Sequence, residues 1–553
     1  MKAIVVLSVF LVAVFVACGS QPEQESISAS SLDILPESTL FSFAVVNPAA
    51  VISSLDGYAS SVALLGENAI SGWILSALDC SDMSEVDGKL GINSSGSIVF
   101  FMESMMPQSM GAALTVSDPD TFWTRIGITP VPGEPLEGYD VSKIDVDFGS
   151  IYFCYTDGLL LGAGSRAGLQ NMLSNIDGNL PSNLPGIPDG SFYLFANIES
   201  FGPIIAGQLS MLKPQILDEL SSAENTNMEL TQRIMGMYFE AINLILNETK
   251  SMTLVLSLEP EYITGSASVE FIPGSSLDQY IIPAEITDLT SMVPVGNVAV
   301  GRVSLDPSTS IAAMNAVFSA MNVRDVPQSM INFWAQTARN TAMCMTFDAD
   351  NPMHIIAVYE MPEETTLEDV KEAYDEQFSM LSGFMNMPGL VLSEVQYTEF
   401  EGLDWITFSM NMDMTALQPD SLDNSVPMVE NIGWTAWMTV HNGVLYLEMA
   451  PEPTTIPQLI DGTYQGETAS SMPEMQDFSS SSEMAVLINV PGYVNMALAM
   501  SGLDVPHIDA EPVWLELEID FVEGGVNKHF RISGAGLTSF IGQVFQAFGS
   551  MSN

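Results

Sequence analysis

The chain has 553 residues, 47% of them hydrophobic, so it can bury sizeable cores and is not a disordered protein. It carries 68 acidic and 14 basic residues, which gives a formal net charge of −54. Because phosphate binding needs clustered Lys and Arg, this balance all but excludes nucleic acid as a partner. We interpret the acidity as a surface property that favours solubility.

The first segment has the pattern of a secretory signal peptide, which we assign to residues 1–17. Lys2 supplies a positive charge, and the stretch from Ala3 to Ala17 is apolar apart from Ser8. An apolar stretch of about 15 residues is short for a bilayer core, which needs roughly 20. A permanent transmembrane helix is therefore the weaker interpretation.

The end of this segment resembles a bacterial lipobox, the motif that precedes a lipidated cysteine. The matching residues are Phe15-Val16-Ala17-Cys18. The resemblance implies cleavage before Cys18 and attachment of a diacylglycerol to its thiol, so that acyl chains would hold the protein on a membrane. Secretion without a lipid and retention of the uncleaved segment remain as alternatives.

Residues 18–31 continue as a polar segment, which is typical of a flexible tether. Gly19, rather than an aspartate, follows the cysteine. We therefore expect a cell-envelope protein, on the outer membrane rather than the inner one if the cell has two membranes.

The body of the chain contains four pairs of similar segments in the same order. The paired segments begin at Leu35 and Val293, at Ser150 and Ala436, at Ser191 and Glu483, and at Ser251 and Val513. This order predicts a tandem duplication, with a first lobe at residues 32–290 and a second at residues 291–553.

Local signals within each lobe predict the fold class. Asp157-Gly158 and Asn442-Gly443 each lie between apolar runs, which is the strongest short-range signal for a β-hairpin. The predicted fold is α+β, with two tandem-duplicated lobes that each form an antiparallel sheet with helices packed on one face.

Helix starts are marked by proline and capping residues. Pro48 and Pro307 would lie in first turns, with Asn47 and Asp306 as caps. Capping boxes are predicted at Thr226 with Glu229 and at Thr365 with Glu368. Apolar stripes follow at helical spacing, one at Leu230, Ile234, Tyr238, Ala241 and Ile245, and one near the end at Leu537, Phe540, Ile541, Val544, Phe545 and Phe548. We expect the last stripe to cover its own sheet.

This order of strand, proline-started helix, hairpin and repeated second module resembles a bacterial family of exported or membrane-anchored proteins of unknown function. The resemblance covers most of residues 30–553. It implies no catalytic residue.

The cysteines other than Cys18 are Cys80, Cys154 and Cys344, an odd number without short paired spacing. This pattern indicates neither a zinc site nor a disulfide framework. A bridge between Cys80 and Cys154 remains open beside the interpretation that all three are buried thiols.

Motifs for catalysis, phosphate binding and metal binding are missing. The four histidines, His354, His441, His507 and His529, have no metal-ligand spacing. The glycines from Gly162 to Gly168 do not have the spacing of a dinucleotide loop, and the segment from Asp348 to Asn351 lacks the glycine and distal glutamate of a calcium loop. We predict no catalytic residue, no cofactor and no established metal site.

Methionine is unusually abundant, with 35 residues. Met410, Met412 and Met414 are weak candidates for copper ligands, because thioethers two residues apart suit monovalent copper. Their alternation with polar residues favours a strand that packs its methionines in a core over a copper site. A third alternative is the lining of a cavity for hydrophobic ligands.

The expected function is a non-enzymatic, lipid-anchored envelope protein that binds a hydrophobic small molecule or an envelope protein. A structural or assembly scaffold is the alternative. Copper handling and an unrecognised hydrolase are minor alternatives. Apart from the membrane that holds the anchor, the sequence identifies no partner.

Overall fold

A computed structural model describes residues 38–60, 68–104, 106, 109–146, 149–175, 190–222, 228–320, 326–337, 339–347, 353–384, 390–413, 431–500 and 507–550. The predicted signal peptide, Cys18 and the tether lie outside these ranges, as do Thr226 and the segment from Asp348 to Asn351.

The chain divides into two compact units. The first contains the described residues up to Phe201, with Thr249–Glu270 and Asn527–Gly542. The second contains Gly202–Glu248, Phe271–Val526 and the described residues from Gln543 onward.

The strands are β1 (Phe41–Val46), β2 (Ser97–Met102), β3 (Met110–Thr115), β4 (Val131–Pro132), β5 (Val141–Val146), β6 (Gly149–Thr156), β7 (Leu159–Ala163), β8 (Ser191–Ala196), β9 (Thr249–Leu258), β10 (Tyr262–Phe271), β11 (Ala299–Ser304), β12 (Asn340–Thr346), β13 (His354–Glu360), β14 (Leu390–Leu392), β15 (Gln396–Phe400), β16 (Leu403–Asp413), β17 (Asn431–His441), β18 (Val444–Met449), β19 (Met484–Asn489), β20 (Trp514–Val522) and β21 (Gly525–Ser533).

The helices are α1 (Pro48–Ser60), α2 (Ala69–Leu78), α3 (Met83–Leu90), α4 (Pro119–Ile126), α5 (Arg166–Asn175), α6 (Ile198–Ser222), α7 (Met228–Glu248), α8 (Ser276–Tyr280), α9 (Pro307–Ala320), α10 (Gln328–Thr337), α11 (Leu367–Phe384), α12 (Ile456–Ile460), α13 (Pro473–Gln476), α14 (Val490–Met500) and α15 (Gly534–Ser550). Among the described helices, none combines the length and apolarity needed to cross a bilayer.

Strands pair antiparallel in both units, so the predicted α+β class with an antiparallel sheet is confirmed. In the first unit the order is β4-β5-β6-β7-β3-β2-β1-β8-β9. In the second unit β14 and β15 both pair with β16, and the order continues β16-β17-β18-β13-β12-β11-β19-β20.

Strands at matching chain positions therefore have matching neighbours in the two orders. The four segment pairs from the sequence fall on β1 and β11, on the β6–β7 and β17–β18 hairpins, on β8 and β19, and on β9 and β20. Such a match supports a duplication, although the duplication itself stays a prediction.

Hairpin turns and helix caps follow from the residues that predicted them. Asp157 and Asn442 adopt positive φ values of 49° and 51° in their turns, which Asp and Asn tolerate better than most residues. Asp306 Oδ1 accepts the Ser308 N–H at 2.8 Å. At α11 the capping box lies one residue later than predicted, because Thr366 Oγ1 accepts the Asp369 N–H at 3.3 Å.

The main core of the first unit lies on one face of its sheet. Val99, Leu161 and Tyr193 from that face pack with Leu169 and Met172 of α5. Helix α1 packs on the opposite face, where its Val51 belongs to a cluster with Val45 and Phe192. Helices therefore cover both faces of the sheet rather than one, because both faces carry apolar side chains.

The second unit also buries both faces of its sheet. On one face Trp405 and Ile356 pack with Ile456 of α12 and Met475 of α13. On the other face Met438 and Leu445 pack with Tyr374 of α11. The helices thus hold the central strands between two apolar layers.

Candidate functional site

The strongest candidate for a binding site is the face of the first unit's sheet that carries α1. One row of residues crosses this face, made of directly paired positions: Leu254, Leu194, Phe43, Phe100, Ala112, Gly162 and Phe153. We call this row and its two neighbouring rows on the same face the apolar sheet face. The neighbouring rows are Met252, Ala196, Phe41, Met102 and Met110 on one side, and Leu256, Phe192, Val45, Ile98, Leu114, Leu160 and Tyr155 on the other. None of its side chains is charged, as the register shows.

Alternation along the strands places these side chains together. On β1, Phe43 points to the same face as Val45, while Ala44 between them is fully buried in the main core. On β2, Phe100 points to this face and its neighbour Phe101 to the core, where it is 2% exposed. A strand whose odd and even positions are both apolar produces a sheet with two apolar faces.

Two small residues interrupt the larger side chains of this row. Ala112 and Gly162 lie between the larger side chains of Phe100 and Phe153. Trp123 of α4 packs edge-on against the Phe153 ring, with 4.9 Å between centroids. A Cβ atom added to Gly162 would lie 3.0 Å from Cε1 of Phe153, so the missing side chain of the glycine leaves room for this ring.

The apolar sheet face is incompletely covered. Phe100 is 55% exposed although its strand lies inside the sheet, and Met110 beside it is 49% exposed. Leaving a large apolar side chain in water forgoes a stabilisation of roughly 1.5–3 kcal/mol. An apolar molecule that covers this surface would recover part of that free energy.

A second cluster, in the second unit, is polar and buried. Glu448 on β18 is fully buried, and its Oε1 lies 2.9 Å from Nε2 of His354 on β13. The same carboxylate accepts the backbone N–H groups of Thr454, Thr455 and Ile456 at 2.9–3.3 Å. This arrangement satisfies the first turn of α12 and indicates a structural role for the carboxylate.

The thiols have the properties of packing residues. Cys80, Cys154 and Cys344 are all free, so the bridge considered between Cys80 and Cys154 is not formed. Burial raises the pKa of Cys154 to about 11 and that of Cys344 to about 12. Both thiols are therefore protonated at neutral pH, whereas a nucleophile or a metal ligand needs the thiolate.

The candidate copper ligands fall only partly within the described residues. Met410 is half-buried on β16, opposite Trp434, and Met412 pairs with Ile432 two positions further on. Met414 lies outside the described ranges. Among the described residues, no group of three or more His, Cys, Asp or Glu side chains is placed to hold a metal ion.

The histidines occupy separate elements. His354 begins β13 and His441 ends β17, whereas His507 precedes β20 and His529 lies on β21. Of these four, His354 is paired with a buried carboxylate, which sequence spacing could not reveal because 94 residues separate it from Glu448.

No protein-family model, curated protein or solved structure matches this chain.

Proposed function

We propose that this chain is a non-enzymatic, lipid-anchored protein of the cell envelope whose apolar sheet face binds an uncharged aliphatic chain. The observation that carries the proposal is the exposure of Phe100, 55%, at the centre of an uncharged row of side chains. Single exposed apolar residues are common, but a continuous apolar surface indicates a binding site.

The charge of the protein favours an uncharged ligand over an anionic one. The net charge of −54 produces a field that repels anions. The rows beside Phe100 offer neither a charged group nor a patterned set of donors. Recognition would therefore rest on apolar contact.

The anchor and the location in the envelope are supported by the sequence. The signal pattern of residues 1–17 and the lipobox resemblance at Cys18 support lipidation. The absence of a catalytic motif supports a binding role, and the outer membrane is favoured in a two-membrane cell because Gly19 follows the cysteine.

Binding of the neutral fluorophore N-phenyl-1-naphthylamine to the full mature protein tests the proposal. Phe100→Ser removes apolar contact area, and Ala112→Leu places a bulkier side chain directly beside Phe100. We expect each to weaken binding about 5- to 30-fold, the effect of roughly 1–2 kcal/mol of lost apolar contact. Monoolein should compete with the probe better than palmitate does, because palmitate is anionic.

The matched control is Tyr493→Ser, which removes an aromatic side chain of similar exposure, 53%, from α14 of the second unit. Unchanged probe affinity in the control and weaker affinity in the two face variants is the expected result. Equal affinity in all four proteins, or no saturable binding by the parent, would refute the apolar sheet face as the site.

A protein partner, as expected of a scaffold, is the second candidate function. Six large apolar side chains on α6 and α7 are 41–70% exposed: Ile204, Met211, Leu212, Tyr238, Ile242 and Ile245. Lys213 Nζ and Glu240 Oε1, 2.5 Å apart, join the two helices beside this surface. A photocrosslinking residue at Tyr238 should then give one reproducible, identified adduct in cells, and the same residue at Tyr493 should not.

A further inference from the structure

Helix α2 is a ten-residue helix without a buried side chain. It contains no charged residue, and its Trp73 is 73% exposed. Gly72, Ser76 and Ala77 are also exposed, so they share the exposed side of the helix with Trp73. An uncharged helix with an outward tryptophan is unusual on a protein whose net charge is −54.

Both ends of α2 are fixed by hydrogen bonds. The Asp56 carboxylate on α1 accepts the N–H groups of Ile70 at 2.8 Å and Ser71 at 3.2 Å. At the other end Asp79 is in the left-handed conformation, and the Cys80 N–H donates to the Leu75 carbonyl at 2.8 Å. These bonds satisfy backbone groups that a helix terminus otherwise leaves free, so the exposed face belongs to a formed helix.

We propose that α2 lies in the surface of the lipid bilayer that anchors the protein, with Trp73 inserted at the level of the headgroups. Tryptophan favours this interface because its ring is apolar and its N–H can still bond to water or lipid. The proposal rests on the lipid anchor at Cys18 that is part of the proposed function.

Charge identifies the kind of lipid. The negative field of the protein opposes contact with anionic headgroups. The exposed face of α2 is itself uncharged. It therefore fits zwitterionic or uncharged headgroups, and contact with them carries no electrostatic cost. Its short apolar face fits contact within the interface rather than a crossing of the membrane.

Chain length places α2 within reach of that membrane. Twenty residues separate Cys18 from Ser38, and they can span at most about 70 Å. From Ser38 along β1 and α1 to Asp56 the path is at most about 50 Å. Since Asp56 contacts the start of α2, the anchor permits the helix to touch the bilayer.

Quenching by brominated lipid tests the contact directly. The chain has seven tryptophans, all within the described residues, and Trp73 is the exposed one among them. The full lipidated protein is reconstituted into phosphatidylcholine vesicles with and without brominated acyl chains. We expect bromolipid to quench the parent, Trp73→Phe to lose most of that quenching, and Trp334→Phe, the control at a half-buried tryptophan on α10 of the second unit, to retain it.

Vesicle flotation in the same samples tests membrane attachment through the anchor separately from the contact of α2 with the bilayer. Flotation of the parent without bromolipid quenching, or equal quenching of the parent and Trp73→Phe, would overturn the α2 contact and leave the anchor standing. Failure to float would overturn both. Replacing part of the phosphatidylcholine with anionic phosphatidylglycerol should reduce quenching at low salt, and stronger quenching there would contradict the assigned lipid class.

Discussion

Oε1 of Glu448 lies 2.9 Å from Nε2 of His354, and the glutamate is fully buried. The carboxylate also accepts the Ile456 N–H at 2.9 Å through its other oxygen. It therefore joins two strands to the first turn of α12. Removal of a buried carboxylate with this many partners destabilises the folded state, because each lost hydrogen bond leaves a buried donor unsatisfied.

We expect Glu448→Ala to lower the free energy of unfolding by about 3–5 kcal/mol, the cost of breaking a buried, hydrogen-bonded charged group. Glu448→Gln should lose less, because its amide oxygen still accepts a bond from the α12 backbone. Urea unfolding followed by far-ultraviolet circular dichroism measures both. Glu452→Ala, at an exposed position in the same connection, is the control; a loss in Glu448→Ala no larger than in this control would contradict the structural role.

Sequence signals predicted those parts of the fold that short-range chemistry determines. Asp157 and Asn442 predicted the two hairpins correctly, because few other residues accept the positive φ that these turns require. Pro48 and Pro307 begin α1 and α9 as predicted, because proline fits the first turn of a helix.

Short-range sequence signals could not predict whether another element covers an apolar surface. The stripe with Tyr238 and Ile245 has helical spacing, yet these side chains are 61% and 46% exposed on α7. Periodicity identifies the apolar side of a helix but not whether another element covers it. The apolar sheet face was missed for a related reason. The predicted fold placed helices on one face of each sheet, whereas β1 and β2 carry apolar residues at both odd and even positions.

The polar cluster was missed because its residues are distant in sequence. His354 had no partner at metal-ligand spacing, and Glu448 was one acidic residue among many. A glutamate inside the apolar run of β18 was the available signal. Charged residues are almost never fully buried unless they are paired, so this glutamate could have been singled out.

Close backbone packing around Gly301 gives a second prediction. A Cβ atom at this position of β11 would lie 2.6 Å from the carbonyl oxygen of Ala485 on β19. Because the clash is with backbone in mid-sheet, Gly301→Ala should destabilise the protein by at least about 1–3 kcal/mol. Gly207→Ala on α6, with open space around its Cβ, should instead be stabilising by about 0.5–1 kcal/mol. Thermal unfolding of both variants checks the opposite signs, and equal shifts would contradict the packing argument.

Thiol accessibility gives a third prediction. Cys154 and Cys344 are buried, and burial raises their pKa values to about 11 and about 12. Cys80 is half-buried, so we expect iodoacetamide at pH 8 to modify it first in the native protein. Peptide mass spectrometry gives the order of modification, and urea-unfolded protein, in which all three should react, is the control. A disulfide-linked peptide pair containing Cys80 and Cys154, or prior modification of Cys344, would contradict this prediction.

Acid stability gives the last prediction. Asp118 caps α4, and its pKa is lowered by the Thr121 hydroxyl first, then by the backbone N–H groups of Thr121 and Asp120. A carboxyl with a lowered native pKa stabilises the folded state above its unfolded pKa of about 4, and this contribution is lost as the pH falls through the lower native value. Asp118→Asn can still cap the helix but does not titrate. The urea midpoint of the parent should therefore exceed that of Asp118→Asn at pH 6, and this advantage should be smaller at pH 3. Asp118→Ala should have a lower midpoint than Asp118→Asn at both pH values. An advantage of the parent over Asp118→Asn that is equally large at pH 3 and pH 6 would show that the Asp118 charge does not contribute.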